Sequence, residues 1–78
     1  MKLIKVKYRD HVLFRNKNPK KVRPDIRETV GWLFKESDEF LVLIWDRPLN
    51  RGPQESEILS GGLVLLKSDI LEVRELNV

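Results

Sequence analysis

Residues 28–46 spell out a β-hairpin in which one side of each strand is far more apolar than the other. Successive side chains of a strand point to opposite faces, so Val30, Trp32 and Phe34 share one face while Thr29, Gly31, Leu33 and Lys35 share the other. On the return strand the matching row is Leu41, Leu43 and Trp45. A tight turn at Ser37-Asp38 pairs Lys35 with Phe40, Phe34 with Leu41 and Trp32 with Leu43, which sets both apolar rows on one side. A four-residue loop over 36–39 leaves the same rows facing each other. Each large apolar side chain contributes roughly 1.5–3 kcal/mol when buried, so burial is expected to select this register over one slipped by a residue. The spacing therefore predicts Trp32, Phe34, Leu41 and Leu43 together in the interior.

A chain of 78 residues suggests one domain with a small core, to which oligomerisation would add. Alanine, the best helix former, is absent, while there are eight valines and five isoleucines, and this tilts the fold toward strands. Without cysteine there are no disulfides and no thiol-ligated metal. No signal peptide and no apolar run near the length of a membrane span is read, so a soluble, cytoplasmic protein with no membrane partner is expected. Charged residues make up 35% of the chain, a balance often seen in proteins from hot environments.

The charge is unevenly spread. Residues 1–24 hold nine Lys or Arg against Asp10 alone, whereas residues 25–78 hold six basic and eleven acidic side chains. The overall +3 thus conceals a bipolar molecule if the fold keeps these segments on different surfaces.

Residues 2–9 alternate as a first strand, with Ile4, Val6 and Tyr8 on one face and a basic outer face of Lys5, Lys7 and Arg9 beside Leu3. Val12-Leu13-Phe14 is expected to pin the start of a loop to the core. That loop, residues 15–25, carries Pro19, Pro24, two asparagines and five basic residues, which predicts an exposed segment. The second strand should start near Ile26 and the third end near Asp46. Residues 47–57 read as another long loop, and Gly61-Gly62 as a bend or bulge within a strand flanked by Ile58-Leu59 and residues 63–66. A single 3₁₀ turn at Lys67-Ser68-Asp69 leading into a fifth strand suits β-branched Ile70 and Val73. A short C-terminal helix with Asp69 and Glu72 as a capping box is the alternative.

Five short strands, two long loops and a tight turn before the last strand predict an all-β fold, a small, five-stranded, bent barrel of the Src-homology-3 or Sm-like type; a β-meander with a C-terminal helix is the alternative. Tyr8-Arg9-Asp10, Glu28-Thr29-Val30-Gly31-Trp32-Leu33 with the acidic 36–39 stretch, and Gly62-Leu63-Val64-Leu65 running to Leu76 carry a resemblance across about two-thirds of the chain. In these residues the sequence resembles a group of small uncharacterised proteins of phages, bacteria and archaea. Members often have an Ile-Pro-Lys step before the last strand, where this chain has Leu66-Lys67. The resemblance implies the small barrel and no particular activity.

His11 lies beside Asp10, but neighbours on a strand face opposite ways and no second His, Cys or suitably placed Ser completes a triad. Glu36, Asp38 and Glu39 could hold a hard cation, but a Ca²⁺ site wants six or more oxygens and a turn that glycine permits, so they read as a solvated hairpin tip. Trp32 and Trp45 belong to the apolar row, so packing is preferred to base stacking, with Trp45 the more exposed of the two. No enzyme activity and no cofactor or metal is expected. Two binding functions remain. One is a nucleic-acid-binding module of low sequence specificity, with Lys5, Lys7, Arg9, Arg15, Lys17, Lys20, Lys21 and Arg23 as phosphate contacts. The other is a protein-interaction or assembly module, a homo-oligomer or an adaptor to an acidic protein surface, acting through a strand edge or complementary charge.

Overall fold

The fold is given by a computed structural model that describes residues 1–49 and 58–77. Strand β1, Leu3–Asp10, follows the alternation of its sequence: Ile4, Val6 and Tyr8 are buried and the odd-numbered residues face outward. It pairs antiparallel with β2, Asp25–Glu36, so that Ile4 meets Gly31 and Val6 meets Thr29. Strand β3, Phe40–Ile44, returns along the end of β2, and β4, Gly62–Leu66, adds to β3. A 3₁₀ turn, Lys67–Asp69, leads into β5, Ile70–Glu75, which pairs with β1.

The sheet order is β4-β3-β2-β1-β5, all neighbours antiparallel. The final segment is thus a 3₁₀ turn and a strand, and the alternative C-terminal helix is not formed. The sheet is not closed into a barrel: β4 and β5 stand at its two edges. No helix among the described residues is long and apolar enough to cross a membrane.

The hairpin register differs from the one expected. Trp32 pairs with Ile44 and Leu33 with Leu43; a bulge at Phe34 then brings Lys35 opposite Val42 and Glu36 opposite Leu41. The slip of one residue turns the aromatic row of β2 to the outside. Leu41 and Leu43 are buried as expected, but Phe34 is 42% exposed, Val30 is exposed and Trp32 is half-buried. Volume explains the reversal. Cβ atoms at Gly31 would sit 3.1 Å from the Leu43 Cβ and 3.2 Å from the Ile44 carbonyl oxygen, so the inner row of β2 has to be slim where the strands crowd together. A core clustered on Ile4, Val6, Tyr8, Leu41, Leu43 and Leu65 has no room for Trp32 and Phe34 as well. Leu33, Leu63 and Ile70 complete its rim.

The turn between β2 and β3 spans residues 37–39. The Ser37 hydroxyl oxygen accepts from the Glu39 and Phe40 N–H groups, each at 3.2 Å, which is why this turn manages without glycine. Strand β3 stops at Ile44, two residues earlier than expected. Gly62 opens β4 where a side chain would collide with the Leu43 carbonyl, and Ile58-Leu59 lies outside any strand. From residue 50 onward the loop expected over 47–57 lies outside the described residues.

Candidate nucleic-acid interface

Strands β1 and β2 extend past the rest of the sheet. The β1–β5 ladder ends at Tyr8, while Arg9 still pairs with Ile26 and Asp10 with Asp25. This two-stranded ribbon carries the 11–24 loop to one end of a molecule measuring 50 × 25 × 23 Å. The acidic turn with Asp38 and Glu39 lies at the other end of the twelve-residue β2, roughly 36 Å away at 3.3 Å per residue.

Two local features shape the loop. Asn16 adopts a left-handed conformation with φ of 54°, which asparagine tolerates better than most residues. Asn18 then caps a 3₁₀ turn, Pro19–Lys21: its Oδ1 accepts from the Lys20 N–H and its carbonyl from the Lys21 N–H, both at 3.0 Å. Pro19 suits the first position of that turn because it has no N–H to leave unpaired.

The eight expected cationic residues divide into two groups. On the outer face of β1, Lys5 Nζ lies 4.0 Å from Glu28 Oε2 and Lys7 Nζ 3.8 Å from Glu72 Oε2. Lys2 likewise faces Glu75 at 3.7 Å. Neighbouring carboxylates therefore offset part of the charge of the strand lysines, Glu72 being shared with Arg74 at 3.6 Å, a relationship hidden in the sequence because Glu28 and Glu72 are far from the lysines along the chain. Arg15, Lys17, Lys20, Lys21 and Arg23 project from the loop, all exposed, and among the described residues none has a carboxylate within 4 Å. Arg9 is exposed at the ribbon between the two groups.

The loop also departs from expectation in its apolar residues. Val12, Leu13 and Phe14 do not anchor it to the core; Leu13 is 87% exposed and Phe14 is 40% exposed. With Val22 they line a hollow of about 540 Å³ that Lys17, Lys21, Arg23 and the acidic Asp25 also line. A second concavity, of about 510 Å³, opens at the opposite mouth of the sheet over Ile4, Leu33 and Leu41. Its rim charges are matched in pairs, Lys67 with Glu36 at 2.9 Å and Lys2 with Glu75 at 3.7 Å, so it presents no excess charge.

His11 is exposed, with Nε2 3.9 Å from Asp69 Oδ2, and Asp10 turns away to Arg27 at 3.8 Å. Glu36 is tied to Lys67, and no cluster of three metal-ligating side chains occurs among the described residues. On the outer face the Arg47 guanidinium lies 3.7 Å from the centroid of the Trp32 ring. Trp45, 47% exposed, lies on the inner side against Gly31, next to Leu43, and against Gly61. Neither tryptophan belongs to the core cluster. No family model, curated protein or solved structure matches the chain.

Proposed function

We propose that this protein is a non-enzymatic binding module that takes nucleic acid on its 11–24 loop with little sequence specificity. One observation carries this reading: the five loop cations have no carboxylate within 4 Å among the described residues, whereas the lysines of β1 do. An uncompensated cation cluster at the tip of a ribbon attracts a polyanion at long range, and each phosphate it neutralises releases counterions. Lys5 and Lys7 contribute little to such a surface, which narrows the interface to Arg15, Lys17, Lys20, Lys21 and Arg23, with Arg9 at its margin. The strand order, with a 3₁₀ turn joining the two edge strands, supports reading the open sheet as a split barrel of the Src-homology-3 or Sm-like type. Such a scaffold serves many tasks, so the function is argued from the loop.

Titration of a labelled oligonucleotide by fluorescence anisotropy at several salt concentrations tests the reading. Five phosphate contacts give a slope of log affinity against log salt on the order of −3.5 for a single strand and −4.5 for a duplex. Lys20→Glu with Lys21→Glu should abolish most of the binding. Salt-independent affinity, or none at low salt, rules the reading out.

A second reading is favoured by the outer face of the sheet. Val64 is 62% exposed on edge strand β4, Leu66 is 51% exposed, and Val30 and Phe34 are exposed on β2. Exposed apolar patches beside an unpaired strand edge suit self-association or an adaptor role. Light scattering across a concentration series distinguishes a defined oligomer from a monomer.

A further inference from the structure

We propose that the hollow in the 11–24 loop receives one unpaired nucleotide, its base against Phe14 and its phosphate among Lys17, Lys21 and Arg23, so that single strands are preferred to duplex. This inference rests on the nucleic-acid reading above and adds the form of the ligand. A surface that binds phosphates alone needs only cations, yet this loop holds Val12, Leu13 and Phe14 outside the core at the edge of the same hollow. The hollow, about 540 Å³, falls within the roughly 300–1,000 Å³ typical of small-molecule sites. A smaller hollow of about 250 Å³, reaching toward His11 and Pro24, shares Val12, Phe14, Val22 and Arg23 with it. Phe14 therefore borders two adjoining spaces.

Charge gives the ligand a direction. Asp25, which also lines the hollow, repels phosphate and can accept a hydrogen bond from an exocyclic amine, whereas Lys17, Lys21 and Arg23 attract the backbone. A duplex offers phosphates but keeps its bases stacked inside, while a single strand offers both the phosphate and an open π-face. An aromatic with neighbouring cations matches the single strand on both counts.

Anisotropy with a labelled 12-nucleotide single strand and with the duplex of the same sequence, at one low salt concentration, separates the possibilities. Wild type should bind the single strand more tightly. Phe14→Ala should lose about fivefold or more on the single strand, the low end of what one stacked base contributes, and change duplex affinity less than about twofold. Phe14→Trp should keep the preference. Phe14 lies outside the core cluster, and circular dichroism checks that the variants keep their fold. Equal affinity for both forms, or equal losses in Phe14→Ala, overturns this inference while leaving the electrostatic reading intact. No salt-sensitive binding to either form overturns both. Displacement of the single strand by polyglutamate at equal charge concentration also overturns it, pointing to an acidic protein surface.

Discussion

Lys7 and Glu72 face each other across the β1–β5 ladder on the outer face of the sheet, with 3.8 Å between Nζ and Oε2. On the β1–β2 side Glu28 stands opposite Lys7 and reaches Lys5 diagonally, at 4.0 Å. These half-exposed pairs stabilise the fold little, about 0–1 kcal/mol each, but they offset part of the charge on what would otherwise be a basic strand. Glu28→Gln with Glu72→Gln should therefore extend the basic surface down the ribbon. The expected result is severalfold tighter oligonucleotide binding at low salt with little change in unfolding midpoint, measured by anisotropy and urea denaturation. Unchanged affinity would place the strand lysines outside the reach of any bound polyanion.

The inner and outer faces of the hairpin make opposite predictions for two large side chains. Leu43 is wholly buried, so Leu43→Ala should cost about 2–5 kcal/mol. Phe34, the extra residue of the bulge, is 42% exposed, and Phe34→Ala should cost less than about 1 kcal/mol. Urea unfolding of the two variants gives the comparison. A Phe34→Ala loss as large as that of Leu43→Ala would restore the register that pairs Phe34 with Leu41.

At Gly31 the constraint is space. A side chain there has to displace the Leu43 Cβ or the Ile44 carbonyl, both immobile parts of β3. Gly31→Val should destabilise the protein by about 1–3 kcal/mol, with a thermal midpoint lower by roughly 4 °C or more. Gly61, where the nearest atoms belong to the partly exposed Trp45 ring, should accept alanine at a smaller loss.

The Arg47 guanidinium stacked on Trp32 predicts an optical change. Arg47→Ala should shift the tryptophan emission as the Trp32 ring meets water, and should reduce stability by about 0.5–1 kcal/mol. Arg47→Lys should recover part of the stability and less of the geometry, because an ammonium lacks the planar face that stacks.

Much of the architecture was legible in the residues. The alternation of Ile4, Val6 and Tyr8, the breakers around the 11–24 loop and the 3₁₀ turn before Ile70 correspond to the strands and connections observed. The hairpin register was not, because periodicity weighs apolarity and is blind to volume: Val30, Trp32 and Phe34 form the more apolar row, yet the crowded side of β2 accepts only Thr29, Gly31 and Leu33. The candidate site divides in a similar way. Lysines and arginines can be counted along a chain, but which of them meet a carboxylate depends on partners such as Glu28 and Glu72 that only pairing brings near. Three successive apolar residues, Val12-Leu13-Phe14, fit an anchor by composition, and the signal that they line a cationic hollow instead is their place directly before a loop with five basic residues.

The most direct measurement compares two double variants for affinity to the same single-stranded oligonucleotide at low salt: Lys5→Ala with Lys7→Ala, and Lys20→Ala with Lys21→Ala. Both remove two positive charges, so total charge is matched and only position differs. The loop pair should lose about tenfold or more and the strand pair less than about twofold, since the strand lysines already face Glu28 and Glu72. Equal losses, or a larger loss from the strand pair, would contradict the assignment of binding to the loop.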